Sequence, residues 1–462
     1  MTLESGKTLK SRILLAGAWT VGAYGAEAAI RLLTSLIMTR LLFPEAFGLM
    51  AIVSTIPAAL AMLSDTGIRS SIVRHRGNLD ADFLRTAWTV QCIRGVILWG
   101  IMLILSALLT LQPIRQLIPA GSALANPLLP WLLATTGSVL VLGGLESVNL
   151  YVQERNIRMG PLAVRTIASK IAPVPFMIIL AYMFHSVWAL VIGSLISQLV
   201  ALAASHIFVP GDKMRFRWHA EVARSLLMDG KWIALSSANN VLTSQGDRLI
   251  LSAMMTSSQL GFYSIAWLLL ESFRALLLSL HTRLTLPVLS ELYRNRQEAT
   301  ITHYYRYRRP IELAAFTAAG GLWIVGPSLV SSLYGSRYSD AGDILKVLSI
   351  GMLALPYGMI VETFLAKGQL RIFSLLSIFN SVSFIVAVFI GYAVAGIQGV
   401  IWGLTLFRWP QIICATALAY RRNWIMPVRE IVYLPMFGVG VLLGYAAESV
   451  MEWITWRMTE IL

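Results

Sequence analysis

The chain has 462 residues, of which 57% are hydrophobic and only 13% are charged, and its mean hydropathy is +0.70. Soluble domains contain about 45–50% apolar and about 25% charged residues, so this composition excludes a soluble globular protein. The formal net charge of +14 is divided among the polar connections between apolar runs, a distribution that indicates membrane topology rather than binding of nucleic acid.

Apolar segments long enough to cross roughly 30 Å of hydrocarbon follow one another along the whole chain. In chain order they are 12–39, 45–66, 83–110, 128–152, 160–184, 186–209, 226–252, 259–286, 310–333, 343–366, 371–395, 397–420 and 431–451. Cys92 and Cys414 lie in or beside these segments, which argues against a disulfide or a cysteine-ligated metal. The sequence predicts an all-α polytopic membrane protein with 12–14 transmembrane helices, of which thirteen can be delimited.

The connections between these segments carry their basic residues alternately. Lysine and arginine concentrate at 7–12, 69–85, 155–158, 213–224, 294–309, 367–371 and 421–429, whereas the other connections hold few. By the positive-inside rule, the rich connections and the N-terminus are expected to be cytosolic. Every connection is short, which argues against an extramembrane catalytic domain and against an enzyme.

The chain repeats itself with a shift of 213 residues. The segment at 16–19 aligns with 229–232 at this shift, and a later match, three residues further shifted, places 145–147 opposite 361–363. Six predicted helices fill each repeat, so both halves enter the membrane from the same side, as in transporters built from parallel repeats. The expected organisation is two six-helix lobes around a central cavity and one additional C-terminal transmembrane helix, with boundaries at 1–212, 213–425 and 426–462.

Ionisable residues near the middle of predicted helices are unfavourable in a bilayer and therefore mark functional candidates. Glu27 and Arg31 are spaced i, i+4, and Glu271 and Arg274 are spaced i, i+3, so each pair shares one helix face. Two interpretations remain open for these pairs: mutual neutralisation, or a role in transport.

Lys170 and Arg408 differ from these pairs, because neither has an acid three or four residues away on its own helix. Such a cation must face a partner helix, a hydrated cavity or an anionic ligand. An interhelical salt bridge and a cationic lumen between the lobes are the two alternatives.

Polar residues recur at helical spacing in the first predicted helix of each lobe. The seventh segment contains Ser236, Asn240, Thr243, Ser244 and Asp247, and the first contains Thr20, Tyr24, Glu27, Arg31 and Thr34. Two equivalent helices with a polar stripe favour a shared hydrophilic cavity over interior packing.

Several segments resemble those of bacterial oligosaccharide flippases. They are RLLFPEAFG at 40–48, LSDTGI at 63–68, QGDR at 245–248 and LGFY at 260–263. In order and spacing, residues from about 10 to 425 are similar to the polysaccharide-transport family of the multidrug/oligosaccharidyl-lipid/polysaccharide exporter superfamily.

This resemblance implies a multi-pass protein of the bacterial inner membrane that flips a polyprenyl-pyrophosphate-linked oligosaccharide from the cytosolic to the periplasmic leaflet by alternating access. It implies no cofactor, and it suggests contact with membrane lipids and a polysaccharide polymerase, while the internal repeat favours a functional monomer. The lumen residues expected to bind the anionic substrate are Arg31, Lys170, Asn240, Arg274 and Arg408. The residues expected to couple transport to a proton or sodium ion are Glu27, Asp247 and Glu271.

Two other functions remain as alternatives. A drug or small-molecule exporter of the same superfamily should have an acidic site for cationic drugs, whereas the mid-membrane residues here are mostly basic. A membrane-embedded glycosyltransferase would need catalytic acids at an outer membrane edge, for which Asp340 and Asp343 are the candidates.

Overall fold

The computed structural model describes residues 9–75, 79–295 and 300–461, which form α-helices and short 3₁₀-helices without a β-strand. The chain divides into two compact units between Gly261 and Phe262. These are called the first unit and the second unit below.

The first unit is built from long apolar helices joined by short turns and three shorter helices. Its helices are α1 Leu9–Leu41, α2 Pro44–Leu63, α3 Ile68–Arg74, α4 Ala81–Thr110, α5 Gln112–Leu117, α6 Leu129–Leu145, α7 Asn149–Arg155, α8 Met159–Ile171, α9 Pro173–Phe184, α10 Trp188–Ile207 and α11 Ala220–Met254, with a 3₁₀-helix at Ala123–Ala125. Helix α11 belongs to this unit because it packs against α2 and α4. The repeat boundary predicted at 212/213 therefore differs from the division into compact units, and it stays a prediction about the two sequence repeats.

One predicted helix of the first unit is sharply bent. The predicted segment 128–152 forms α6 and α7, which meet at an angle of 58°. The segment 160–184 forms α8 and α9, which continue as one apolar stretch because Ala172 between them keeps helical dihedral angles; Pro173, which has no backbone N–H, is the first residue of α9. The bend between α6 and α7 leaves backbone carbonyls and side chains near membrane depth available for polar contacts.

The division between the units lies inside α12, so that the second unit begins a few residues after the start of this helix at Ser257. Its helices are α12 Ser257–Asn295, α13 Thr300–Tyr334, α14 Ser339–Ser349, α15 Gly358–Ala366, α16 Leu370–Leu406, α17 Trp409–Tyr420, α18 Pro427–Ile431 and α19 Pro435–Ile461, with 3₁₀-helices at Ser336–Tyr338 and Ile350–Ala354. Its core lies where α13, α15 and α17 meet, around fully buried Phe316, Met359 and Ala415.

All thirteen predicted segments fall on helices of the described chain. Nine stretches of the described residues are long and apolar enough to cross a membrane, or ten if α6 and α7 together form one bent span. One of these stretches, Leu370–Tyr420, contains two predicted segments. The protein is a multi-pass, all-helical membrane protein.

Helix α16 is a hairpin of two antiparallel halves. Ala395 and Gly396 leave the helical conformation, and Gly396 has a φ of +56°, which glycine tolerates without strain. The reversal lies between the predicted segments 371–395 and 397–420, which confirms that boundary. Gly391 before the turn and Gly399 after it pack backbone against backbone, so that a Cβ atom on either would overlap the carbonyl group of the other.

We expect Gly399→Ala to destabilise the second unit by about 1–3 kcal/mol, because the added methyl group must push the two halves of α16 apart. Gly438→Ala in α19 is the control, since a Cβ atom there meets open space. The thermal midpoint of the purified protein measures both variants. A Gly399→Ala midpoint no lower than that of Gly438→Ala would contradict this packing.

Candidate functional site

The predicted cation of the first unit forms a bridge between two helices. Lys170 on α8 places its Nζ atom 3.4 Å from Oε1 of Glu27 on α1. The Lys170 side chain is 44% exposed and that of Glu27 is 28% exposed, so both groups remain accessible. Of the two alternatives for Lys170, the interhelical salt bridge is therefore present, and it leaves part of the ammonium group free to meet a ligand.

Arg31 lies one turn beyond Glu27 on α1 and is exposed. Glu27, Arg31 and Lys170 together carry two positive charges and one negative charge on the adjacent helices α1 and α8. This set is called the first-unit cationic site. Glu27 and Arg31 belong to the polar stripe that the sequence shows on the first helix.

In the second unit, the predicted pair on α12 is present. Arg274 Nε donates a hydrogen bond of 2.7 Å to Glu271 Oε2, and the two side chains are about one quarter exposed. The guanidinium carbon of Arg274 also lies 5.6 Å from the centroid of the Trp267 ring. The carboxylate and the indole ring hold the guanidinium group in one orientation.

Arg408 lies at the junction of α16 and α17, where it is the N-cap residue of α17. It interacts electrostatically with both Arg274 and Glu271, and its guanidinium carbon lies 5.7 Å from the Phe407 ring centroid. The structure thus brings together three residues that the sequence singled out separately. With two guanidinium groups and one carboxylate, this second-unit cationic site has an excess positive charge and suits an anion with several oxygen atoms.

The polar stripe of α11 is partly satisfied by the helix itself. The hydroxyl groups of Thr243 and Ser244 donate to the backbone carbonyl of Asn240, at 3.2 and 2.6 Å. The Asn240 side chain is exposed and Asp247 is half-buried, while the side chain of Ser236 lies outside the described residues. Asn240 and Asp247 belong to the first unit.

No group of three or more His, Cys, Asp and Glu side chains in the described ranges is arranged to hold a metal ion.

The sequence profile of a family described as polysaccharide biosynthesis protein matches residues 37–343, about two thirds of the chain. The chain belongs to this polysaccharide biosynthesis protein family. The matched region contains Lys170 of the first-unit site and the α12 pair of the second-unit site, whereas Glu27 and Arg31 precede it. Arg408 lies beyond it.

Curated relatives of this family member cover most of its length. It is 22% identical over 419 residues to the lipopolysaccharide biosynthesis protein WzxC of Escherichia coli K12, which spans 89% of this chain and 81% of the relative. It is 24% identical over 447 residues to the succinoglycan biosynthesis transport protein ExoT of Rhizobium meliloti 1021, spanning 95% and 79% respectively.

Two solved structures show that the family member shares its fold with transporters. The lipid II flippase MurJ in an inward closed conformation superposes with a TM-score of 0.70 at 13% identity, covering 96% of this chain and 99% of that one. An inward-facing multidrug resistance transporter of the MATE family superposes with a TM-score of 0.64 at 18% identity, covering 86% and 94%.

Two polar networks of this protein were not predicted from its sequence. In the first unit, Glu146 at the break between α6 and α7 pairs with Arg165 and accepts a hydrogen bond of 2.6 Å from Gln198 Nε2. In the second unit, buried Arg308 contacts Glu312 and Glu430. The i, i+4 spacing of Arg308 and Glu312 is a signal that could have been used, whereas nothing local in the sequence indicates Glu430.

We expect Lys170→Gln to reduce transport while changing the free energy of unfolding by less than about 1 kcal/mol, because a half-exposed ion pair contributes little to stability. Lys213→Gln is the control, since Lys213 is an exposed lysine of the same unit that lies outside every helix. Complementation of a deletion strain and the thermal midpoint measure the two effects. Full complementation by Lys170→Gln would remove Lys170 from the binding residues.

Proposed function

We propose that the protein is a flippase that moves a polyprenyl-pyrophosphate-linked oligosaccharide from the cytosolic to the periplasmic leaflet of the bacterial inner membrane. The product would serve the synthesis of lipopolysaccharide, exopolysaccharide or capsule. The observation that carries this proposal is the second-unit cationic site, in which Arg274 is paired with Glu271 and Arg408 lies within range of electrostatic interaction with both. The family and the biosynthetic and transport roles for which the two curated relatives are named support the same function.

The charge of the site fits the head of such a substrate. A pyrophosphate offers several negatively charged oxygen atoms, and planar guanidinium groups can bind them with paired, charge-assisted hydrogen bonds. Lys170 and Arg31 provide a second group of cations on α1 and α8, and the exposed Asn240 amide can donate to sugar hydroxyls. The polyprenyl chain can stay in the lipid.

Transport requires a polar route because sugar hydroxyls lose their hydrogen bonds to water in hydrocarbon. Broken helices supply backbone polar groups at membrane depth, and α6 and α7, which meet at an angle of 58°, form such a break. We further propose alternating access with a cytosolic N-terminus, driven by a proton or sodium ion that Glu27, Asp247 or Glu271 binds. Action as a monomer and contact with a polysaccharide polymerase stay predictions.

The fold similarity to a multidrug transporter makes a drug exporter the second candidate. A site for cationic drugs would need an excess of acids, whereas both cationic sites have more bases than acids. The glycosyltransferase alternative depends on Asp340 and Asp343, which are both exposed near the start of α14. Loss of function when both are replaced by Asn, together with full activity of the variants in the cationic sites, would favour it.

The decisive experiment is lipid extraction from a deletion strain. We expect polyprenyl-pyrophosphate oligosaccharides to accumulate on the cytosolic side, and we expect the wild-type protein, but not Arg408→Ala, to reverse the accumulation. A normal lipid pool together with altered sensitivity to cationic dyes would overturn the proposal in favour of the drug exporter. The strain should lack any second flippase, so that redundancy does not mask the result.

A further inference from the structure

A fully buried ionic network lies in the second unit, apart from the cationic site. Arg308 on α13 has no exposed surface. Its Nη1 atom lies 2.6 Å from Glu430 Oε2, and its Nη2 atom lies 2.7 Å from Glu312 Oε1. The side chains of Glu312 and Glu430 are 1% and 9% exposed. The network joins α13 to α18, which immediately precedes the last helix.

Three tyrosines surround the network, and their hydroxyl groups form hydrogen bonds with Glu430 and Arg308. The Tyr305 hydroxyl donates to Glu430 Oε1 at 2.6 Å and accepts a hydrogen bond from the backbone N–H of Met426 at 2.9 Å. The Tyr304 hydroxyl accepts from Arg308 Nη1 at 3.0 Å. The Tyr357 ring centroid lies 4.4 Å from the guanidinium carbon of Arg308, and its hydroxyl donates to the Glu430 backbone carbonyl at 2.8 Å.

The two carboxyl groups are therefore not equivalent. Both oxygen atoms of Glu430 accept hydrogen bonds from groups that favour its ionised form, namely Arg308 and Tyr305. Glu312 meets Arg308 at Oε1 alone, in an ion pair whose direction is poor for a hydrogen bond, and its buried Oε2 atom has no hydrogen-bond partner in the part of the chain that the structure describes.

The formal charges of the network do not cancel. One guanidinium group faces two carboxyl groups, so the fully ionised network would bury one uncompensated negative charge. Two other arginines lie nearby, and both are exposed. The guanidinium carbon of Arg309 lies 5.8 Å from the Tyr433 ring centroid, and that of Arg429 lies 5.5 Å from the Tyr305 ring centroid. A buried carboxylate without its own counter-charge is strongly unfavourable, and such a group takes up a proton.

We propose that Glu312 is a proton-binding site, which holds one proton while Glu430 stays ionised as the partner of Arg308. The proton makes the buried network electrically neutral. A metal ion is the less suitable ligand, because the arginine already occupies the space between the two carboxyl groups at 2.6 and 2.7 Å. This proposal depends only on the geometry of the second unit and is independent of the proposed flippase function.

Infrared spectroscopy of the purified full-length protein tests the proposal directly, because a protonated carboxylic acid has a carbonyl stretch that a carboxylate lacks. We expect the wild-type protein near neutral pH to show such a band, and we expect Glu312→Gln to remove it. Glu362→Gln on α15 is the control and should leave the band unchanged. A spectrum that Glu312→Gln does not alter would overturn the proposal.

Thermal stability provides an independent reading of the same asymmetry. A glutamine resembles a protonated glutamate, so Glu312→Gln should shift the thermal midpoint by no more than about 2 °C, whereas Glu430→Gln should lower it clearly. Equal losses in the two variants would contradict the assignment of the proton to Glu312. If Glu312→Gln fails to fold, Glu312→Asp should keep the infrared band at a shifted frequency, and an unshifted band would overturn the proposal.

Discussion

Replacing Arg408 by alanine is expected to reduce transport of the lipid-linked oligosaccharide by about tenfold to a hundredfold while the protein stays folded. A hydrogen bond to a charged group contributes about 1.5–3 kcal/mol, and each 1.4 kcal/mol corresponds to about a factor of ten. Arg408 has Arg274 and Glu271 as its charged neighbours, so the substitution removes a cation from a site that holds two cations and one acid. It also relieves the repulsion between the two guanidinium groups, so no large loss of stability should follow.

Accumulation of the lipid-linked substrate in a complemented deletion strain measures this effect. Arg421→Ala is the matched control, because Arg421 is exposed at the other end of the same helix, α17. Arg408→Lys keeps the charge but loses the bidentate geometry, so its activity should fall between those of the wild type and Arg408→Ala. Equal transport by Arg408→Ala and Arg421→Ala would exclude Arg408 from substrate binding.

Arg274 offers a further check on the same site, since it interacts with Arg408. If both arginines bind one pyrophosphate, the double variant Arg274→Ala, Arg408→Ala should lose less than the product of the two single effects. Strictly multiplicative losses would instead indicate two independent roles.

The helices could be predicted from the sequence because a helix that crosses a membrane satisfies its own backbone and needs only a long apolar run. The interruptions were predictable only where the residue itself imposes them. Pro173 removes one backbone hydrogen bond between α8 and α9, and Gly396 permits the positive φ at which α16 reverses its direction. The 58° bend between α6 and α7 has no such residue at the break, where Glu146 instead binds Arg165 and Gln198.

The same distinction applies to the candidate site. The pair Glu271–Arg274 follows from helical spacing and is present at 2.7 Å. The partner of Lys170 could not be read from the sequence, because Glu27 is distant along the chain and meets it only through the packing of α1 on α8. The contacts that place α11 in the first compact unit are likewise not encoded locally in the sequence, and the repeat boundary before α11 stays a prediction.

Replacing Arg308 by methionine is expected to destabilise the protein by about 3–5 kcal/mol, the loss typical of breaking a buried ion pair by removing one partner. Methionine keeps the length of the side chain, so the effect measures the loss of charge and hydrogen bonds more than the loss of volume. Glu430 would keep its hydrogen bond from Tyr305 but lose its cation inside a protein interior that water does not reach. Unfolding in detergent and the thermal midpoint measure the change.

Arg309→Met is the matched control, because Arg309 is the next residue on α13 and is exposed. Its free energy of unfolding should change by no more than about 0.5 kcal/mol. Adding Glu430→Gln to Arg308→Met should recover part of the loss, since the carboxylate that lacks a cation is then removed together with its partner. Adding Glu312→Gln should recover little, because a Glu312 that already holds a proton is not the charge that Arg308 compensates. A larger recovery with Glu312→Gln than with Glu430→Gln would place the ionised carboxylate at Glu312 and the proton at Glu430.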